Sequence, residues 1–216
     1  MEYQDVREEI VATAKRMLTE GLVTVTAGNI SMRVPGEDLA GITPSGRPYD
    51  TMRPEDVSIV SLDGELVDGP FKPSSETPMH TMILRQRPDV NAVVHTHSPY
   101  ALAFAVVHKP IPLICNEGLP ARSMAILVAD FGLPGTEEIG QKALDALSKQ
   151  SGSKAVLLAN HGVLTIGASM REAYALASNV EQEAMVYHRA LCVGEPVAIS
   201  AEQLQMIFGG YQSKKG

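Results

Sequence analysis

Val90-Asn91-Ala92-Val93-Val94-His95-Thr96-His97 is an extended apolar run that ends in polar residues. Side chains at i and i+2 of a strand share a face, so the imidazoles of His95 and His97 can reach one ion. Val90, Ala92 and Val94 have the opposite parity. They are expected to face the core and leave the histidine face free to line a pocket. Upstream, Thr77-Pro78 reads as a helix start, with Thr77 as N-cap and Pro78 at the first helical position, running to about Arg87 before Pro88. Downstream, Pro99 to Val107 and Thr136 to Lys149 are predicted helices. Lys154 to Asn160 and Val163 to Ile166 are predicted strands broken by His161-Gly162. Ser169-Met170-Arg171-Glu172 has the pattern of a capping box opening a helix to about Leu191, and Ser200-Ala201-Glu202-Gln203 repeats it for a short final helix.

The N-terminal third completes the pattern. Val6, Ile10, Ala14, Met17 and Leu18 recur at helical spacing, which predicts an amphipathic helix over 3–20 stopped by Gly21. Thr24 to Ser31 and Ile42 to Gly46 have the composition of tight loops beside short strands. Val57 to Leu62, Asp63-Gly64 and Glu65 to Val67 read as a strand, a type I′ turn and a returning strand, so part of the sheet is antiparallel. Helices and strands alternate along the whole length. One α/β domain over 1–216 with a mixed sheet is the expected architecture.

The formal net charge of −7 argues against nucleic acid as a partner, because phosphate-backbone binding needs a basic surface. Arg, Asp, His or Pro interrupts every apolar segment before membrane-spanning length, so no membrane partner is expected. The acidic start, Met1 to Asp5, lacks a secretory pattern, and a cytoplasmic location is expected. Cys115 and Cys192 lie far apart among apolar neighbours and are expected to be buried free thiols.

His161, in Leu158-Ala159-Asn160-His161-Gly162, sits where a third ligand can join His95 and His97. Three neutral histidines with an open fourth position form a catalytic zinc pattern, whereas a closed structural site usually contains cysteine. A His-X-His pair alone is equally at home as two hydrogen-bonded rings at a strand end; the third histidine before glycine tilts the reading toward a metal. Imidazole also suits Fe, Co, Ni and Cu. His80, one helical turn after Glu76, is placed to support the site from behind, while His108 and His188 read as surface or packing residues.

Pro73-Ser74-Ser75-Glu76-Thr77 sets two hydroxyls and a carboxylate before a helix N-terminus, where orphan N–H groups and the helix dipole favour an anion. From the segment alone, ordinary N-capping by this Ser/Thr cluster is the stronger reading. Gly28-Asn29 and Ser45-Gly46 likewise read as turns first and anion cradles second.

Taken together, Thr26 to Ser31, Ile42 to Gly46, Pro73 to Glu76, His95-Thr96-His97 and Asn160-His161-Gly162 resemble, in order and spacing, the class II aldolase/adducin family. The resemblance spans nearly the whole chain and is closest to the L-fuculose-1-phosphate aldolase branch. It implies a three-layer α/β/α sandwich around a largely antiparallel mixed sheet, in a homotetramer with sites at subunit contacts. It also implies Zn2+ on His95, His97 and His161, with Glu76 as catalytic carboxylate and further metal ligand. A substrate phosphate would sit on Gly28, Asn29, Ser45, Gly46, Ser74 and Ser75.

The implied reaction cleaves a ketose 1-phosphate, such as L-fuculose 1-phosphate or a deoxypentulose 1-phosphate, to dihydroxyacetone phosphate and a small aldehyde. Tyr211 matches the family's C-terminal catalytic tyrosine, in a flexible tail over about 209–216. The chain departs from the family at Asn116, where that branch has a tyrosine acting on the C4 hydroxyl; Glu117 or water remains open for that role. A sugar-phosphate 4-epimerase, a decarboxylase of phosphorylated oxo-acids and a non-catalytic adducin head share the fold. The epimerase branch has aspartate at Glu76, and the adducin head lacks the metal histidines.

Overall fold

The computed structural model describes residues 2–212, with side chains described through residue 207. Its strands are β1 (Asn29–Arg33), β2 (Leu39–Ile42), β3 (Ser58–Ser61), β4 (Leu66–Asp68), β5 (Ala92–Thr96), β6 (Ile111–Pro112), β7 (Ala125–Ala129), β8 (Ala155–Leu158) and β9 (Gly162–Gly167). They form one nine-stranded sheet ordered β4-β3-β2-β1-β5-β9-β8-β7-β6. Every neighbouring pair is antiparallel except β7 with β8. The sheet is therefore mixed and mostly antiparallel, with the histidine strand β5 at its centre.

Helices cover both faces. α2 (Thr77–Gln86) and α4 (Glu137–Ser148) bury Met79, Ile83, Ile139 and Ala143 against Val93, Val156 and Leu164 on one side. α1 (Gln4–Thr19), α3 (Pro99–Val106) and α5 (Met170–Val193) cover the other. There α1 sets Val6, Ile10, Ala14 and Met17 against Ile30, Ala92 and Val94, each large side chain worth roughly 1.5–3 kcal/mol of apolar burial. These are the three layers expected.

Contrary to the parity argument, the histidine face is not free along β5. Val93 shares parity with His95 and is buried under α2 and α4, and Val90 joins that same cluster rather than the one containing Ala92 and Val94. Both faces of a central strand are covered, so only its C-terminal end can open to a ligand.

Local starts and turns also differ in detail. Glu76, not Thr77, occupies the N-cap position of α2 and makes no side-chain cap bond there. Ser74 acts instead: its Oγ accepts the Glu76 N–H at 3.2 Å, and its carbonyl accepts from Thr77 Oγ1 at 2.7 Å. The β3–β4 connection is not type I′, since Asp63 keeps a negative φ and only Gly64 is left-handed at +91°. Bonds from Gly64 N–H to Ser61 O and from Ser61 N–H to Glu65 O make it a type I turn followed by a left-handed glycine. At α5, Ser169 Oγ accepts the Glu172 N–H, while the Glu172 carboxylate takes the Ala168 N–H one residue before the expected cap. α6 (Ala201–Gln212) has the full reciprocal pair, Gln203 N–H to Ser200 Oγ and Ser200 N–H to Gln203 Oε1.

Both cysteines are free, but Cys192 is exposed and Cys115 half-buried. The last turn of α5 runs past the body of the domain, and its neighbour Val193 is 90% exposed, so apolar neighbours in sequence do not bury Cys192. Among the described residues no helix is long and apolar enough to cross a membrane.

Candidate active site

Three segments converge at the C-terminal end of β5. His95 is fully buried within the strand, and His97 follows it. His161 comes from the β8–β9 hairpin, where Leu158 pairs with Gly162 and the His161 N–H closes the turn onto Leu158 O at 3.0 Å. Asn160 takes the left-handed conformation this turn needs, at φ 57°. The ligand atoms of the three rings lie within 4.8 Å of one another. His95 Nε2 and His97 Nε2 are 3.0 Å apart.

Gly162 makes this convergence feasible. A Cβ there would stand 2.3 Å from Thr96 O, 3.0 Å from His95 Cε1 and 3.2 Å from His97 Cδ2. Gly162→Ala is therefore expected to destabilise the fold by about 1–3 kcal/mol through overpacking and to splay the two rings. A thermal melt and a zinc titration check this; wild-type values in both would contradict it.

Glu76 enters from the head of α2. Its Oε2 lies 3.2 Å from His95 Nε2 and accepts the Asn29 Nδ2–H at 2.8 Å. Its Oε1 lies 3.2 Å from His161 Nε2 but is buried without an aligned hydrogen bond. Burial pushes the Glu76 pKa up, but His95, the Asn29 amide and His161 more than offset this, leaving it below the ordinary value. His95 Nδ1 is 2.8 Å from Val163 O, which places the hydrogen on Nδ1 and leaves Nε2 a bare lone pair.

Burial pushes His95 down to about 3 and His80 down to about 4 from 6.5, with Glu76 opposing both shifts. Metal-free protein should consequently lose stability in acid. Both folded values lie below the unfolded one, so this stability is present above pH 6.5 and is lost as pH falls toward 4 and then 3. His80 alone accounts for on the order of 3 kcal/mol. Urea unfolding of chelator-treated protein at about pH 7 and about pH 4 measures it, and equal midpoints would refute it.

Glu76 is a buried carboxylate with one oxygen unpartnered, and among the described residues no Lys or Arg lines the adjoining cleft to balance it. Three imidazole nitrogens gathered beside this carboxylate suit a divalent cation. The residues fit such an ion.

His97 and His161 open onto a cleft of about 330 Å³ lined by Thr26, Ala27, Gly28, Asn29, Thr43, Pro44, Ser45, Gly46, Ser74, Ser75, Glu76, Pro134 and Gly135 as well. All six residues implied for phosphate are thus on its walls. The Pro44–Pro73 bridge and the bonds Ser45 N–H to Lys72 O and Ser74 N–H to Thr43 O tie the two serine loops together. Ser45, Gly46 and Ser75 are exposed at that seam. Gly28 sits at φ +75°, and a Cβ there would meet His95 O at 2.6 Å, so the loop passes directly over the histidine strand. Just before it, Val25 holds a left-handed φ of 51°, a costly conformation for a β-branched residue.

The Asn29 side chain faces the cleft but is engaged by Glu76 and His80. None of the lining residues is Lys or Arg, so an anion there would meet neutral donors and the N-terminus of α2.

Class II aldolase and adducin N-terminal domain is the description of the family that matches residues 8–188. The chain belongs to this family. It is 36% identical over 211 residues to the 5-deoxy-D-ribulose 1-phosphate aldolase of Bacillus thuringiensis, covering 96% of this chain and 97% of that one. It is 37% identical over 207 residues to the 5-methylthioribulose-1-phosphate/5-deoxyribulose-1-phosphate aldolase of Rhodospirillum rubrum, covering 96% and 91%. Among solved structures, an L-fuculose 1-phosphate aldolase superposes with a TM-score of 0.91 at 31% identity over 98% of both chains. The class II aldolase family thus accounts for the fold, and its metal-dependent chemistry for the histidine cluster.

Some contributors had no marker in the sequence. Pro134 and Gly135 reach the cleft from the loop after β7, and Tyr49 supports the Gly28 loop by donating its hydroxyl to Gly28 O at 2.6 Å. The Pro-Gly pair before Thr136 was the one available signal, and it marks only a turn. Asn116 and Glu117 lie in a 3-10 turn over Asn116–Ala121, exposed and away from the cleft of their own chain. Tyr211 and the preceding Gly209-Gly210 fall within α6; the Tyr211 side chain, and residues 213–216 of the expected tail, lie outside the described residues.

Proposed function

We propose that this chain is a zinc-dependent aldolase that cleaves a ketose 1-phosphate into dihydroxyacetone phosphate and a small aldehyde. One observation carries the reading: the unpartnered Glu76 Oε1 stands 3.2 Å from His161 Nε2 on the floor of the cleft whose walls are the three hydroxyl- and glycine-rich loops. Base, metal ligands and anion cradle share one space. Relatives named as aldolases of 5-deoxyribulose 1-phosphate and L-fuculose 1-phosphate support that substrate class.

Zinc, when bound, supplies a Lewis acid for the oxygens that gain negative charge as a bond beside a ketone breaks. The chain's own residues do the rest. Backbone at Gly28 and Asn29, with Ser45, Gly46, Ser74 and Ser75, takes the phosphate and fixes how far the sugar enters. This leaves the Asn29 amide to Glu76. As the C3–C4 bond breaks, the C4 hydroxyl gives up its proton and becomes the aldehyde oxygen. The ionised Glu76 carboxylate takes up a proton from that hydroxyl or from water, and its Oε1 delivers it to C3 of the three-carbon fragment, the reverse direction removing it again.

A fourfold tetramer completes the reading. The exposed Asn116–Glu117 turn would act at a neighbouring copy's cleft, with Tyr211 as a further proton-transfer group. A cytoplasmic setting goes with this metabolic role.

The test is a substrate panel on zinc-loaded protein: 5-deoxyribulose 1-phosphate, L-fuculose 1-phosphate and a phosphorylated oxo-acid. Dihydroxyacetone phosphate from the ketose phosphates is expected. Carbon dioxide from the oxo-acid, or an epimer without cleavage, would replace the aldolase reading by a decarboxylase or epimerase.

A further inference from the structure

Behind Glu76 lies a second buried histidine that the proposed chemistry does not use. His80 is one turn further along α2 and fully buried, yet both ring nitrogens are partnered. Nδ1 is 2.7 Å from Ser31 Oγ, and Nε2 is 2.5 Å from Asn29 Oδ1. Asn29 Nδ2 in turn donates to Glu76 Oε2 at 2.8 Å. Two residues from β1 and two from the head of α2 form one continuous chain.

Counting donors leaves one consistent assignment. An amide oxygen only accepts, so His80 Nε2 carries the hydrogen and donates to Asn29. A neutral ring then has a bare Nδ1, and the Ser31 hydroxyl donates to it. Every hydrogen in the chain points toward Glu76. The opposite Asn29 orientation would set its oxygen against Glu76 Oε2, two acceptors face to face. Asn29 is thus fixed from both ends, and such chains strengthen their members.

The two carboxylate oxygens are thereby made unequal. Oε2 is held by Asn29, while Oε1 has no hydrogen-bond partner. We propose that His80, acting through Asn29, is a positioning residue that anchors Glu76 Oε2 so that Oε1 alone is presented to the reacting carbon. The proposal rests on Glu76 as the base, as argued above. Loss of the His80 donor lets the Asn29 amide turn and the carboxylate swing, which disturbs the chemical step rather than substrate docking.

One readout needs no turnover. In the metal-free protein labelled with 15N, His80 should show a slowly exchanging Nε2–H and a bare Nδ1; the opposite tautomer would overturn the chain whatever the activity. The kinetic readout compares two variants. His80→Leu removes the donor, while His80→Gln keeps an N–H near the Nε2 position. His80→Leu is expected to lower kcat by about 10- to 100-fold with KM and zinc content unchanged. His80→Gln should recover most of that loss.

Equal losses in both variants, or a raised KM at native kcat, would refute the positioning role. If His80→Leu does not fold, Ser31→Ala is read in its place: about a 10-fold fall in kcat is expected, and native kcat overturns the proposal. A native protein that cleaves no ketose phosphate would sink the aldolase reading, and the tautomer would still decide the chain.

Discussion

Glu76→Gln is expected to leave the protein folded and zinc-loaded while lowering kcat for cleavage by about 100- to 10,000-fold, the contribution typical of a positioned acid–base group. The substitution keeps the shape of the side chain, and His95, His97 and His161 remain within 4.8 Å of one another to hold the ion. What disappears is the basic oxygen. Glu76 is buried and its pKa is held below the ordinary value, so it is ionised at neutral pH and free to accept a proton. Removing the charge also removes the strongest counterpart to the cation, so a modest fall in zinc affinity is compatible with the account. Steady-state kinetics with metal analysis on the same sample check the prediction. Turnover within a few-fold of native would mean that another group moves the proton.

The second large effect is expected at His95. His95→Ala deletes the most deeply placed of the three nitrogens and leaves Val163 O without its 2.8 Å donor in a fully buried position. Emptying a fully buried ring position also leaves a cavity, so the melting temperature should fall. Zinc content after dialysis should fall well below one per chain, and turnover should vanish with it. Removal of an outer partner already costs about 10- to 100-fold in metal affinity or activity, and a direct ligand should cost more. Full zinc occupancy in this variant would show that the ion is held elsewhere.

The parity of His95 and His97 was legible because a strand has period two, and that period is local. The N-cap at Ser169 and the capping box at Ser200 were legible for the same reason. What lay over the histidine face was not: Val93 is buried by α2 and α4, which a strand's own residues do not announce. β7, Ala125–Ala129, is a short continuous apolar run, which periodicity alone does not separate from buried helix, and two-residue β6 leaves even less pattern.

At the site, the motifs carried by contiguous residues were readable, and the contacts between them were not. Asn29 looks like an anion-loop residue in Gly28-Asn29. Only the packing of β1 beside α2 puts His80 and Glu76 on its two ends. Tyr49 and Gly135 belong to the site through loops that fold back over it from other parts of the chain.

The most direct test of the central claim is solvent hydrogen exchange into dihydroxyacetone phosphate, followed by NMR in deuterated buffer with no aldehyde present. It isolates proton transfer by Glu76 in the metal-loaded cleft and is indifferent to which aldehyde the enzyme accepts. The account predicts that zinc-loaded native protein exchanges one of the two C3 hydrogens, and that neither chelator-treated protein nor Glu76→Gln does so. Exchange that persists in Glu76→Gln, or none in the zinc-loaded native protein, would contradict it.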